Sequence, residues 1–167
     1  MNLVADDIED APDGFGQLRA MLAGGGLQAP MGEKLGFTLV EVERGYVVFE
    51  GTPDRSVYNP LGSVHGGYAA TLLDSACGIA VHSQLGANRG HTTLELKVSY
   101  LRGLSERSGT VRATGRTVSV GHRVAFAEAT LHDGDGQLCA TATSTLLVFD
   151  VEHRQVAEDA PATATDA

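Results

Sequence analysis

This 167-residue sequence lacks the surplus of basic residues that nucleic-acid-binding proteins carry. It contains 12 Lys and Arg against 21 Asp and Glu, for a formal net charge of -9. All of that charge comes from residues 1–13, with five acids and no base, and residues 150–167, with five acids and one arginine. The segment between them is neutral overall, and no basic stripe indicates a nucleic-acid partner.

The sequence also lacks a recognisable export or membrane signal. MNLVADDIED has neither a basic nor an apolar segment, so it does not resemble a signal peptide, and no apolar run approaches the ~20 residues that span a bilayer. Only two cysteines are present, Cys77 and Cys139, in apolar stretches without the spacing of metal ligands. We therefore expect reduced core thiols, no metal site and a cytoplasmic location.

Length and composition favour one folded domain. A chain of this length with 43% hydrophobic residues supports one substantial core, whereas two domains would be cramped. Both ends are acidic and poor in large apolar side chains, which is typical of solvated tails. We predict a mobile acidic N-terminal tail over residues 1–13, a single domain over 14–150 and a mobile C-terminal tail over 151–167.

Hydrophobic patterns within this domain predict two helices. FGQLRAMLAG has apolar residues at helical spacing and is followed by Gly24-Gly25-Gly26, so a short amphipathic helix should end there. NPLGSVHGGYAATLLDSACGIAV has small and apolar residues on every side of a helical wheel. This stretch predicts a long buried helix from about Gly66 to Leu85.

The remaining segments predict strands. GFTLVEVERGYVVFEGTP is rich in β-branched and aromatic residues and is broken by Arg-Gly at 44–45, which indicates two strands and a tight turn. Four strand-like segments follow the helix: HTTLELKVSYL, SGTVRATGRTVSV, HRVAFAEATLHD and QLCATATSTLLVFD. In the first of them, Leu94, Leu96, Val98 and Tyr100 alternate with polar residues, which is typical of a half-buried strand. Short connections, including Asp-Gly-Asp-Gly at 133–136, favour an antiparallel sheet. An all-round apolar helix requires this sheet to curl about it, in an α+β architecture.

One residue does not fit the buried helix. From Ser56 to Asn88, Asp74 is the only formally charged residue, and burying a carboxylate is costly unless it has partners or a function. One explanation is a structural acid, bonded to a backbone amide or to Asn59. The other is an acid or base of an active site.

Asn59, the His65-Gly66-Gly67 triplet and Asp74, nine residues after the histidine, resemble the active-site pattern of hotdog-fold thioesterases of the phenylacetate-degradation (PaaI-like) type. The resemblance covers roughly residues 35–149 and implies a hotdog fold, a curled antiparallel sheet wrapped around one long helix. It implies hydrolysis of acyl-coenzyme A thioesters without a metal or a cofactor, because coenzyme A is part of the substrate. It also implies a homodimer or a dimer of dimers, a homotetramer, with sites at the subunit interface.

The resemblance assigns roles that thioester chemistry also requires. A carbonyl that gains negative charge needs donors aimed at it, and Gly66 at a helix N-terminus, with His65 beside it, offers an unobstructed backbone N–H. Asp74 serves as general base or nucleophile, and Asn59 helps to position the water or the thioester. Thr93 is the best match for a hydroxyl that faces the water from the next strand. The candidate substrate-binding residues are Gly67, Thr92, Arg102, Gly121 and Arg123. Coenzyme A phosphates need cations, and Arg116 is a third arginine near a strand end, beside Arg102 and Arg123.

Spacing along the helix separates the donor from the base. The step from Gly66 to Asp74 corresponds to ~12 Å at the rise of about 1.5 Å per residue of an α-helix. Asp74 is therefore too far from a carbonyl held at the start of its own helix. We expect the glycine end of one copy to face the aspartate of another.

Other interpretations remain open. Glycine pairs also permit tight packing, and a histidine at a helix start often only caps the helix. The other histidines are interpreted as solvated or hydrogen-bonded side chains without a role: His82, His91, His122 and His132. An acyl-thioester binding module is the non-catalytic alternative, although it gains little from an ionisable group in an apolar tunnel. A hotdog dehydratase resembles the pattern less well, because its histidine and acid are differently spaced.

Overall fold

The computed structural model describes residues 13–24 and 29–151, so the two predicted tails lie almost entirely outside the described residues. The elements of the described part are, in chain order, α1 (Gly14–Ala23), α2 (Pro30–Leu35), β1 (Phe37–Glu43), β2 (Tyr46–Gly51), α3 (Gly66–His82), β3 (Arg89–Tyr100), β4 (Val111–Val120), β5 (Val124–His132) and β6 (Leu138–Asp150). None of the helices described is long and apolar enough to cross a membrane.

The strands of the described part form one antiparallel sheet in the order β1-β2-β4-β5-β6-β3. The sheet curls around α3, which packs against every one of these strands. The prediction of an α+β architecture, with a strand pair, a buried helix and then four more strands, is therefore confirmed.

The middle of α3 forms the centre of the core. Its residues without exposed surface are Leu72, Leu73, Ala76, Cys77, Ala80 and Val81. β4 approaches the helix at Gly115, where a Cβ would lie 2.1 Å from the carbonyl oxygen of Ala76, so only glycine fits there. Both cysteines are free and buried, and burial raises the pKa of the Cys77 thiol to about 12. The prediction of core thiols is confirmed.

The C-terminal end of α3 differs from the prediction. The helix ends at His82 rather than at Leu85. Ser83, which still has helical angles, anchors this end, because its hydroxyl donates to the carbonyl of Ala80 and accepts from the N–H of Gly45 at the β1–β2 turn. The end of the helix is therefore fixed by a tertiary contact.

The helices before β1 cover one end of the sheet. The predicted α1 is confirmed, and its cap, Asp13, accepts from the N–H of Gly16 and pairs with Arg44. The sequence patterns do not predict α2, because its six residues are too few to show a helical period. It begins at Pro30 and stops at Gly36, whose φ of 69° is left-handed.

β3 lies at an edge of the sheet and contains a bulge between Thr93 and Glu95. The bulge interrupts the predicted alternation, so Leu94 is 59% exposed instead of facing inward with Leu96. Thr93 pairs with Leu146 of β6, which is fully buried, and therefore lies on the helix-facing side. The bulge turns Thr93 toward α3.

Candidate active site

Asp74 lies in the middle of α3, beside β3. Its Oδ1 accepts a hydrogen bond from Thr93 Oγ1 at 3.0 Å. The side chain is half-buried, and no second donor reaches the carboxylate among the residues that the structure describes. The carboxylate therefore keeps lone pairs for a further donor such as water.

A cavity of about 210 Å³ opens beside Asp74. Its polar wall consists of Asp74, Ser75, His91 and Thr93. Its apolar wall comes from the first two helices, β1, β2 and α3, and includes Leu18, Met21, Phe37, Leu39, Phe49 and Ile79. An apolar cavity next to one carboxylate suits an acyl chain or ring whose reactive end meets that carboxylate.

His91 is the residue of this cavity that the sequence interpretation missed. Its Nδ1 is buried without a hydrogen-bond partner in the described part of the chain, so this nitrogen is neither solvated nor bonded. Burial lowers the pKa of His91, which keeps the ring neutral at neutral pH. The sequence does contain a signal for His91, because it lies two residues before the candidate Thr93, and residues two apart in a strand face the same side of the sheet.

The N-terminus of α3 has one uncommitted backbone donor. His65 caps the helix, and its Nδ1 accepts from the N–H of Gly67 at 2.8 Å, which places the proton of the neutral ring on Nε2. The carbonyl of His65 accepts from the N–H of Tyr68 at 2.9 Å. The N–H of Gly66 has no acceptor within residues 13–24 and 29–151. The structure thus distinguishes the two glycines, because only Gly66 has a donor to offer.

Asn59 shapes the loop that leads into α3. Its Oδ1 accepts from the backbone N–H groups of Leu61, at 2.9 Å, and Ser63, at 3.3 Å. Its Nδ2 donates to Ser63 Oγ at 3.0 Å. Asn59 therefore makes no hydrogen bond to Asp74 in one copy of the chain, and its bonds lie within the loop before His65.

A second cavity, also of about 210 Å³, opens at the start of α3. His65, Gly66 and Arg102 line it, so the structure brings three of the candidate residues together at this end of the helix. Neither of the two cavities contains both Asp74 and Gly66. The candidate residues of one copy therefore form two groups, one around the donor and one around the carboxylate.

The other predicted substrate-binding residues lie outside both cavities. Gly121 and Arg123 belong to the exposed turn between β4 and β5, in which the N–H of Gly121 donates to the carbonyl of Val124 at 2.9 Å. Thr92 is exposed, on the side of β3 opposite to Thr93. Among the described residues, no group of three His, Cys, Asp or Glu side chains forms a candidate metal site.

Residues 61–140 match the thioesterase superfamily. The match spans the helix that carries Gly66 and Asp74 and the strand that carries Thr93. The chain resembles the thioesterase superfamily over this segment, 80 of its 167 residues. It is accordingly a thioester hydrolase, and its architecture is the hotdog fold that the sequence resemblance implies.

Relatives of this thioesterase include proteins that act on or bind coenzyme A compounds. A 1,4-dihydroxy-2-naphthoyl-CoA hydrolase of Listeria monocytogenes is 26% identical over 116 residues, 70% of this chain and 93% of the relative. A phenylacetic acid degradation-related protein from Ralstonia eutropha JMP134 superposes with a TM-score of 0.70 at 28% identity, covering 78% of this chain and 98% of the other. A Streptococcus mutans UA159 protein bound to acetyl CoA superposes with a TM-score of 0.63 at 28% identity, covering 71% of this chain and 92% of the other.

Proposed function

We propose that this thioesterase hydrolyses acyl-coenzyme A, with Asp74 as the general base and Gly66 as the donor that polarises the carbonyl. The Asp74 carboxylate at the wall of an apolar cavity carries the proposal, with Thr93 as its hydrogen-bond donor. A carboxylate in such a place is costly to desolvate and gives a binding module no benefit, whereas hydrolysis requires a base there.

Asp74 supplies the base that a thioester needs at neutral pH. Its carboxylate accepts a proton from water while the water oxygen bonds to the carbonyl carbon. The tetrahedral intermediate then breaks its C–S bond, and the departing sulfur takes the proton from Asp74, which restores the carboxylate and releases acid and thiol. Thr93 holds one carboxylate oxygen, so the other is available to the water. Direct attack by Asp74 through an acyl-enzyme anhydride is the alternative route.

Gly66 supplies the donor for the charge that develops on the carbonyl oxygen. Its N–H is uncommitted, and it stands at the positive end of the α3 dipole. A fixed donor of this kind stabilises the transition state more than the ground state, and removing one typically costs about 10²–10³ in rate. The N–H of Gly67 is held by His65, which supports Gly66 as the donor.

Two copies of the chain are needed to join the donor and the base. Asp74 lies ~12 Å along the helix from Gly66. β3 is a long edge strand with exposed Leu94 and Tyr100, and such an edge invites pairing with another chain. We therefore propose that a second copy pairs along β3, so that the Gly66 end of one subunit faces Asp74 of the other.

Arg102 and Arg123 are the proposed ligands of the coenzyme A phosphates. Neither forms an ion pair among the described residues, whereas Arg55 and Arg112 pair with glutamates. An arginine without a carboxylate partner is available to a phosphate. The acetyl CoA in one relative supports coenzyme A as the carrier. Gly67, Thr92 and Gly121 stay predicted contacts.

A thiol-trapping assay tests the reaction. The purified protein is incubated with acetyl-, octanoyl-, palmitoyl- and benzoyl-coenzyme A, and the released thiol is measured. We expect hydrolysis of at least one substrate, because the cavity beside Asp74 has an apolar wall. Tight binding of these compounds without thiol release would support the binding module instead.

Subunit mixing tests the shared site. By this proposal Asp74→Asn lacks the base and Gly66→Pro lacks the backbone N–H, which proline can do without at the first position of a helix. Each variant is therefore nearly inactive, and mixed dimers contain one site in which both residues are intact. Exchange of subunits should therefore restore part of the activity. If mass spectrometry shows mixed dimers while activity stays at the level of the separate variants, the donor and the base belong to the same subunit.

A further inference from the structure

Two consecutive glycines begin α3, and their backbone orientation depends on hydrogen bonds. Without side chains, Gly66 and Gly67 have access to a wide range of φ and ψ angles. A donor that must point at a developing oxyanion within a few tenths of an ångström needs a fixed backbone. His65 supplies one restraint, because its Nδ1 accepts from the N–H of Gly67.

Tyr100, the last residue of β3, supplies a second restraint from outside the helix. Its hydroxyl donates to the carbonyl oxygen of Gly66 at 2.9 Å. Its ring occupies the space beside the Gly66 Cα, where an added Cβ would meet ring atoms at 3.2 Å. Tyr100 therefore fills the place of the missing side chain and holds the Gly66–Gly67 peptide by its oxygen.

We propose that Tyr100 is a positioning residue for thioester hydrolysis, which holds the Gly66 N–H in line with the substrate carbonyl. The proposal rests on the proposed role of Gly66. The carbonyl of the Gly66–Gly67 peptide is held by Tyr100 and its N–H by His65, so rotation of this peptide is restricted at both ends. Among the described residues, the backbone N–H left without a partner at this end of the helix is that of Gly66, one peptide earlier.

The contact also links the donor to the edge strand. Tyr100 is 56% exposed in one copy, although its hydroxyl is committed to Gly66. A water molecule competes for an exposed hydroxyl, so the bond contributes little to global stability. Its effect is local, on the direction of one N–H. The expected loss on removal is therefore catalytic rather than structural.

Tyr100→Phe tests the proposal, because it removes the hydroxyl and keeps the ring. Tyr58→Phe is the matched control, since the Tyr58 hydroxyl also bonds to one backbone group, the N–H of Glu106 at 2.8 Å, which does not belong to α3. We expect kcat to fall about tenfold in Tyr100→Phe with KM unchanged, and both constants to stay near the original values in Tyr58→Phe. Thermal unfolding of both variants shows whether stability accounts for the loss.

A spectroscopic readout separates positioning from general damage. Acetyl-coenzyme A labelled with ¹³C at the carbonyl is bound to the Asp74→Asn protein, and isotope-edited infrared difference spectra record its C=O stretch. A donor aimed at the oxygen polarises this bond and lowers the frequency. We expect a smaller shift when Tyr100→Phe is added, and no change in the shift when Tyr58→Phe is added.

The outcomes distinguish this inference from the function on which it rests. If the unmodified protein releases no thiol from any substrate, both are overturned. If the protein is active but Tyr100→Phe matches Tyr58→Phe in kcat and in carbonyl frequency, Tyr100 is not a positioning residue and the proposed function stands. A tenfold loss of kcat with an altered carbonyl frequency supports the positioning role.

Discussion

Asp74 and His82 are two polar side chains on the same apolar helix, and their surroundings differ. His82 is 6% exposed, and its Nε2 is 3.0 Å from Gln17 Oε1. Asp74 is half-buried, bonds to one hydroxyl and borders a cavity. The protein buries His82 and gives its ring a hydrogen-bond partner, whereas the Asp74 carboxylate keeps lone pairs that no second donor among the described residues reaches. Spare bonding capacity at a cavity, rather than burial alone, makes Asp74 the candidate base.

The largest expected effect comes from Asp74→Asn. Asparagine keeps the size of the side chain and an oxygen that can accept from Thr93, but it cannot take a proton from water. We expect kcat for acyl-coenzyme A to fall at least about 10²-fold, while the temperature of unfolding changes little. Steady-state thiol release and calorimetry provide the two measurements.

Asp74→Asn also tests whether Asp74 differs in role from His82. If Asp74→Asn lowers stability and leaves kcat within about threefold, Asp74 is a structural acid and resembles His82 after all. Substrate binding to the variant, measured by isothermal titration, should persist in the catalytic interpretation, because the apolar wall is unchanged.

The second expected effect is on stability and concerns His82. Burial, and then the neighbouring His91, lowers the pKa of His82 from 6.5 to about 4. Between these values the unfolded chain binds more protons than the folded one, so stability falls as the pH falls. We expect a loss of roughly 2 kcal/mol between about pH 7 and pH 5 from this group, measured by urea unfolding.

A pair of histidine variants isolates that effect. His82→Gln removes the buried titrating ring and should flatten the dependence of stability on pH, although His91 remains buried beside it. His122→Gln, in the exposed β4–β5 turn, is the control for replacing a histidine. Equal pH profiles for the two variants would show that His82 is not the source.

The sequence was sufficient for most of the fold because local patterns and tertiary packing agree there. α3 is apolar on every side, which requires a wrapped sheet, and the strands lie close together along the chain with turns between them. The pattern did not show α2, which is too short for periodicity, or the true end of α3, which Ser83 fixes through Gly45. The end of α3 thus depends on a contact between segments that are distant along the chain.

The candidate site was predictable where residues are close in sequence and less so where the sheet brings them together. The spacing of Gly66 and Asp74 on one helix predicts that a second copy completes the site. His91 and Tyr100 reach the site from β3, and no motif marks either of them. Thr93 is informative, because regular alternation with Leu96 would place it on the outer side of the sheet, and only the bulge turns it inward.

The smallest expected effect concerns the hydroxyl of Thr93, which the bulge in β3 turns toward Asp74. Thr93→Val keeps the shape of the side chain but removes the donor to Asp74, so the carboxylate loses its orientation but stays a base. We expect kcat to fall about tenfold, less than for Asp74→Asn. Thr143→Val, at an exposed position of β6, is the control for replacing a strand threonine. If the two variants have the same kcat, the hydroxyl at the bulge does not position the base, and Asp74 reaches the water without help from β3.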